Sequence, residues 1–114
     1  MKVYGIPNCN TVKKAQDWLK ANNIAYEFHD FKKLGISESK LKEWTKFKPW
    51  ETLLNKNGTT WKKLDPETQQ KITSEQAAFS LMQEKTSSIK RPVIETNTGI
   101  IVGFDEYAYQ QLLK

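Results

Sequence analysis

The sequence predicts an α/β fold: a mixed four-stranded sheet flanked by helices, with a helical insertion at about 36–85 of a single domain spanning residues 1–114. Three observations predict it. Near the N-terminus, two short strand-like segments bracket an amphipathic helix. The middle of the chain reads as helical and carries its own cap residues. The last third returns to a β period and closes on a helix.

Val3 to Ile6 is a short apolar strand that runs into a Gly/Pro/Asn turn. A helix follows from about Asn10 to Ala21, with Val12, Ala15 and Leu19 at helical spacing and Trp18 beside them. Asn22-Asn23 can end it, because asparagine tolerates the left-handed cap. Ile24, Tyr26 and Phe28 then alternate with Ala25, Glu27 and His29, which reads as a strand. Strand, helix and strand with short links form a βαβ unit, whose strands are expected to be parallel with a right-handed crossover. Both strand ends then open onto one edge of the sheet.

Ser37 can cap a helix running to about Lys46, with Ile36 and Leu41 placed as a hydrophobic staple. Trp50 to Leu54 is a short apolar piece after Pro49, and Asn55-Lys56-Asn57-Gly58 is a turn. Asp65-Pro66 reads as a cap followed by proline at the first helical position. Thr73-Ser74-Glu75-Gln76 has capping-box spacing and opens a helix carrying Ala77, Ala78, Leu81 and Met82. Trp44, Trp50 and Trp61 fall in this helical segment and read as core packing before a ligand platform.

Pro92 to Glu95, a Thr96-Asn97-Thr98-Gly99 turn, and Ile100 to Val102 read as a β-hairpin. Phe104 to Leu113 is the closing helix, with Phe104, Tyr107, Ala108, Gln111 and Leu112 near helical spacing. The order βαβ, helices, ββα is a thioredoxin-like arrangement interrupted by a helical insertion.

Composition bounds the chemistry. Hydrophobic residues at 38% and aromatics at 11% argue for a folded globule, and 114 residues suffice for a core without staples. A single cysteine excludes an intramolecular disulfide framework and a cysteine-based zinc site, and suits a reducing cytosol. Met1 to Tyr4 carries no long apolar run, so neither a signal peptide nor a membrane span is expected and the expected location is cytoplasmic. No bound cofactor and no metal are expected. The net charge of +5 comes almost wholly from lysines, with Arg91 the sole arginine. Scattered lysine pairs read as a solvated surface with a mild attraction for anionic small molecules, and no nucleic-acid partner is expected.

The single cysteine, Cys9, lies where a strand's end meets a helix N-terminus. Unpaired N–H groups and the positive end of the helix dipole converge there and favour thiolate over thiol. Lys13 and Lys14 add positive charge one turn on. The competing reading is a buried, inert thiol. Asn8, Asn10 and Thr11 bracket the sulfur. Their amides and side chains can bind a sulfur anion or an oxyanion, and Asn10 or Thr11 can equally serve as plain helix caps.

Tyr4-Gly5-Ile6 through Cys9 to Lys14, Phe28-His29-Asp30, Leu53-Leu54-Asn55, Gly58 to Leu64, Lys90-Arg91-Pro92 and Val102-Gly103-Phe104 carry a resemblance. Over essentially its full length the chain resembles the arsenate reductase/Spx family of thioredoxin-fold proteins, closest to the YffB-like branch. The resemblance implies a catalytic cysteine at Cys9, a thioredoxin core with a helical insertion, and, in the reductase branches, glutathione as the partner thiol. The fold it implies also places a cis proline, here Pro92, beside that cysteine, where its backbone can pair with an extended thiol peptide. Arg91 then offers a forked donor to a carboxylate or oxyanion, the alternative being a structural Arg–carboxylate pair.

Two departures separate the chain from branches of that family. Its arsenate reductases hold the oxyanion with three arginines, and here only Arg91 matches, with Asn55 at the first position and Gly103 near the last. Its redox-switch regulators carry a Cys-x-x-Cys pair, and here Val12 follows three residues after Cys9.

His29 is expected at the end of the second strand on the Cys9 edge. It can relay a proton, bind a carboxylate or simply cap the strand. The expected function is therefore glutathione-dependent thiol–disulfide reduction with Cys9 and Arg91 as catalytic residues and Asn8, Asn10, Thr11, Lys13 and Pro92 binding substrate. Glutaredoxin or a thiolated protein would be a further partner. Arsenate reduction, an Spx-like RNA-polymerase-binding redox regulator, and a scaffold that has lost its chemistry stand as alternatives.

Overall fold

Strand β1 (Lys2–Gly5) leads through a Pro7-Asn8 turn into helix α1 (Asn10–Ala21) in the computed structural model, which describes residues 1–114. Val12, Ala15, Trp18 and Leu19 are the buried residues of α1, so the apolar stripe of the sequence is the stripe that packs. Beyond the helix Asn23 takes the left-handed conformation, at φ 57°, which its short polar side chain tolerates.

Strand β2 (Glu27–Asp30) pairs parallel with β1 in the register Lys2↔Glu27 and Tyr4↔His29, completing the βαβ unit. It starts later than the Ile24–Phe28 alternation predicts. The Ile24 N–H still donates to the Leu19 carbonyl at 2.9 Å, closing the helix, while the Glu27 N–H donates to Met1 O at 3.0 Å. The alternation is a record of burial: Ile24, Tyr26 and Phe28 all pack partly buried against the core. It does not say where the ladder begins.

Strands β3 (Val93–Thr96) and β4 (Gly99–Val102) form an antiparallel hairpin about Asn97-Thr98. β3 also pairs antiparallel with β1, Val3 opposite Ile94, giving the order β2-β1-β3-β4. This is the mixed four-stranded sheet the sequence predicts. Val3, Ile94 and Ile101 from the sheet meet Ala15, Trp18 and Leu19 of α1 and Tyr109 in one buried cluster.

The closing helix, α8 (Glu106–Leu113), presents a different face from the one expected. Asp105 caps it by accepting from the Ala108 N–H at 3.1 Å, so Phe104 lies before the helix. Each residue of offset turns a helix face by about 100°. Tyr109, one step along from the expected Ala108, is the fully buried residue, and Tyr107 and Leu112 are 75% and 64% exposed. The Tyr109 ring meets Trp18 and Phe104 edge-on at 5.4 and 5.2 Å, and its hydroxyl donates to the Gly103 carbonyl at 2.8 Å. Burial pushes the Tyr109 phenol well up from its ordinary value, helped by the Asp105 charge.

Residues 1–34 and 91–114 form one compact unit and residues 35–90 another. The second is the helical insertion, a few residues longer than expected. The short helix α2 (Phe31–Leu34) ends the first segment of the sheet unit, and the Asp30 carboxylate accepts from the Lys32 N–H at 2.8 Å. Within the insertion lie α3 (Glu38–Trp44), α4 (Trp50–Leu53), α5 (Thr59–Lys62), α6 (Pro66–Lys71), α7 (Glu75–Glu84) and a single 3-10 turn at Thr86–Ser88.

Ser37 and Asp65 cap α3 and α6 as the sequence predicts, accepting from the Lys40 and Thr68 N–H groups. α3 stops at Trp44, short of the expected Lys46. The cap of α7 is Ser74, which accepts from the Ala77 N–H, so the reciprocal box spanning Thr73 to Gln76 does not form. Leu41, Trp44, Leu53, Leu54, Phe79, Met82 and Ile89 are among the buried residues of the insertion. Trp44 is fully buried, whereas Trp50 and Trp61 are half-buried. Lys56 Nζ sits 5.3 Å from the centre of the Trp61 ring. No helix is long and apolar enough to cross a membrane.

Candidate active site at the first strand–helix junction

Cys9 is itself the N-cap of α1, in extended backbone at φ −103° and ψ 125°. Its own N–H donates to Ile6 O at 3.3 Å, tightening the turn, and its carbonyl accepts the first helical bond from the Lys13 N–H at 3.0 Å. In the cap position a side chain faces the free N–H groups of the second and third helical residues, which here are Thr11 and Val12. The neutral thiol makes no cap hydrogen bond, yet both N–H groups act on the sulfur as it ionises. That difference is expected of a weak acceptor that becomes a strong one on losing its proton.

The thiol is half-buried. Burial alone would push it up; the Val12 N–H, a hydrogen bond from Arg91, the Arg91 charge and the Thr11 N–H together bring it below its ordinary value. Arg91 comes from the opposite end of the sequence. The Arg91–Pro92 peptide is cis, as the fold resemblance implies. Pro92 is buried, and its carbonyl accepts from the Gly103 N–H at 2.8 Å, joining the entry of β3 to the exit of β4. The arginine Nε is buried as well.

Gly5 sets the spacing of this junction, and the sequence reading did not single it out. A Cβ on Gly5 would stand 2.8 Å from one methyl of Val12 and 3.1 Å from the other. Without a side chain there, β1 can approach the first turn of α1, and that turn carries the N–H groups directed at the sulfur. The signal was present as a glycine in the last position of a strand that meets a helix, where close backbone approach is a common reason for glycine.

The remaining sequence candidates divide. Asn8, Asn10 and Thr11 are exposed, and Thr11 acts on the sulfur through its backbone. Neither Asn10 nor Thr11 is the helix cap, because Cys9 holds that position. Lys13 is exposed on α1, and it does not figure among the groups that lower the thiol, which are backbone N–H groups and Arg91. His29 is half-buried on β2 opposite Tyr4. Its ring lies 4.6 Å from the Tyr4 ring and 5.9 Å from Phe31, an aromatic setting that does not act on the thiol. Tyr4 OH donates to Glu95 Oε1 on the same face, at 2.9 Å. No group of three His, Cys, Asp or Glu side chains gathers to hold a metal ion.

Comparison with known proteins identifies the family. The ArsC family model matches residues 4–112. An uncharacterized protein of Haemophilus influenzae is 38% identical over 108 residues, covering 95% of this chain and 94% of its own length. Among solved structures, a protein described as YffB matches with a TM-score of 0.93 and 42% identity over 99% of this chain and 98% of its own. A Brucella melitensis protein described as related to arsenate reductase is 41% identical, with a TM-score of 0.77, over 99% of this chain and 93% of its own. The chain therefore belongs to the ArsC family, with Cys9 and Arg91 at the junction of β1, α1 and β3.

Proposed function

We propose that the protein is a glutathione-dependent thiol–disulfide reductase that works through Cys9 alone. The observation that carries the reading is the lowered Cys9 thiol, acted on by two backbone N–H groups and the Arg91 guanidinium, in a chain with no second cysteine. In the proposed cycle the Cys9 thiolate attacks the glutathione sulfur of a glutathionylated substrate. The substrate thiolate leaves and takes a proton from solvent. A second glutathione, as thiolate, attacks the glutathione sulfur of the Cys9 mixed disulfide, giving oxidised glutathione and restoring the Cys9 thiolate. One glutathione thiol is consumed per turnover: the substrate leaves as a thiol, and its former glutathionyl group becomes the other half of the oxidised glutathione.

Arg91 would pair with a carboxylate of glutathione or with sulfur charge in the transition state, and the Pro92 backbone would bind the peptide. Asn8, Asn10 and Thr11 offer polar side chains around it. Such a cycle belongs in a reducing compartment such as the cytosol, with glutaredoxin or a thiolated protein as a further partner.

The test is reduction of a glutathionylated peptide at several glutathione concentrations, beside mass analysis of the protein. Wild type forms a Cys9 adduct and turns over with a dependence on added thiol, and Cys9→Ser loses both while keeping its fold. Turnover in Cys9→Ser, or turnover without added thiol, refutes the mechanism. An adduct that never turns over favours the redox regulator.

A further inference from the structure

The insertion carries a surface feature unrelated to Cys9. α3 and α4 are joined by Thr45 to Pro49, and this link is fixed at both ends. The Phe47 and Lys48 N–H groups both donate to the Trp44 carbonyl, at 3.0 and 3.1 Å, and the Lys46 N–H donates to Glu43 O at 3.2 Å. Thr45 Oγ1 donates to Lys42 O at 2.6 Å. On the far side Pro49 is the N-cap of α4, and its carbonyl accepts from the Thr52 N–H at 2.9 Å. Trp44, at the root of the link, is fully buried.

On this braced turn Phe47 is 51% exposed. Lys46 and Lys48 flank it, both exposed. Their neighbours on α3 are neutralised: Lys40 pairs with Glu43 at 3.3 Å and Lys42 with Glu75 at 2.7 Å. Lys46 and Lys48 have no carboxylate partner of this kind. Residues 35–90 hold ten lysines against seven carboxylates, so the unit is positively charged as a whole. An aromatic residue on a hydrogen-bonded turn, between two uncompensated ammonium groups, requires little backbone ordering on binding and attracts negative charge.

We propose that Lys46-Phe47-Lys48 is a docking element for an acidic peptide segment of a partner protein, with an apolar side chain of that segment packing on Phe47. Charge selects the class of partner. Nucleic-acid phosphates are read preferentially by arginine forks, and residues 35–90 contain no arginine. Phe47 stands on a turn rather than on the apolar face of an amphipathic helix, the form that a lipid-surface anchor takes.

The test uses the full-length protein and a fluorescein-labelled peptide of aspartates and glutamates around a central leucine, read by fluorescence anisotropy. Circular dichroism checks the fold of each variant. Wild type binds. Phe47→Ser weakens binding by about five-fold and the pair Lys46→Glu with Lys48→Glu by about ten-fold or more. Phe47→Leu restores most of the loss. The pair Lys62→Glu with Lys63→Glu, which changes net charge equally, stays within about two-fold of wild type. No binding by wild type, an unchanged Phe47→Ser, or equal losses from the two lysine pairs overturns the proposal. So does Phe47-dependent binding to phosphatidylserine vesicles or a single-stranded oligonucleotide that is tighter than binding to the peptide.

Discussion

Gly5→Ala tests whether the approach of β1 to α1 is what activates the thiol. The added methyl meets Val12 Cγ2 at 2.8 Å, Val12 Cγ1 at 3.1 Å and Phe28 Cε1 at 3.6 Å. Unstrained carbon contacts lie at about 3.5–4.0 Å, so the nearest pair overlaps by up to about 1 Å. Val12 cannot swing aside. It is β-branched, which stiffens its side chain, and it is fully buried. The first turn of α1 must therefore shift. Overpacking of this kind destabilises by about 1–3 kcal/mol, and for a domain of this size each kcal/mol lowers Tm by about 4 °C, giving a fall of about 4–12 °C. The same shift moves the Val12 and Thr11 N–H groups off the sulfur, so the midpoint of Cys9 alkylation against pH rises. Val12→Ala alone leaves a void and loses about 1–3 kcal/mol, yet it opens the space the new methyl needs. The double variant is then less destabilised than the sum of the singles by more than about 0.5 kcal/mol. A Gly5→Ala protein with the melting temperature and alkylation midpoint of wild type, or strict additivity in the cycle, would refute the reasoning.

Alkylation of wild type has a midpoint below the free-thiol value of about 8.5, and a midpoint at or above it removes the activated thiolate. Because folding lowers this pKa, the ionised thiol adds stability that is fully present above about pH 8.5 and lost as pH falls through the folded value; Cys9→Ser lacks this slope in melts taken across that window. Arg91→Ala raises the alkylation midpoint and lowers glutathione-dependent kcat/KM by about 10–100-fold, the worth of one charged hydrogen bond. Arg91→Lys recovers part of the midpoint, through charge, and little of the rate, because the fork is gone; equal loss of melting temperature in both variants with unchanged rate would assign Arg91 a structural role. Arsenate reduction with glutathione and glutaredoxin supplied stays near the no-enzyme background, since of the expected arginines only Arg91 is present, and efficient Cys9-dependent turnover would replace the disulfide substrate with arsenate.

The sequence made the fold legible wherever periodicity and caps agreed. α1 is bounded as read, because Val12, Ala15, Trp18 and Leu19 mark its buried side and Asn22-Asn23 its end. The hairpin is legible because a two-residue turn fixes its register. α8 is not, since a short helix containing Tyr107, Tyr109, Leu112 and Leu113 has apolar residues on more than one face. Three-dimensional packing chooses among them, with Tyr109 against the rings of Trp18 and Phe104.

At the site, the cap position of Cys9 followed from one strand–turn–helix pattern. The pairing of Cys9 with Arg91 joins residues at opposite ends of the chain. No local signal reports it, and it entered only through resemblance. Sequence proximity overstated Lys13, whose flexible side chain stands in solvent, and understated Val12, whose contribution is a backbone N–H that any residue but proline would supply. Gly103 shows the reverse case. Its φ of 83° strains any side chain, so an arginine at this position would have to distort the exit of β4.

A lone cysteine faces two demands in a thiol–disulfide cycle, and the lowered pKa meets both. At neutral pH a free thiol is only a few per cent ionised. Each unit of depression raises the thiolate fraction by nearly tenfold, while the intrinsic nucleophilicity falls by only about threefold. Attack by Cys9 therefore speeds up until its pKa nears the ambient pH. The second demand is release. A chain with a neighbouring cysteine resolves its mixed disulfide internally, at high effective concentration. In the proposed cycle the resolving thiol arrives from solution, so Cys9 has to be a good leaving group, and a thiol of lower pKa leaves faster. The Val12 and Thr11 N–H groups and Arg91 stabilise the same sulfur anion on its way in as nucleophile and on its way out as leaving group. Weakening them by Gly5→Ala or Arg91→Ala is then expected to slow adduct formation and adduct resolution together. Two single-turnover measurements with one glutathionylated peptide read this directly: a variant that slowed attack and left resolution at the wild-type rate would show that different groups serve the two steps.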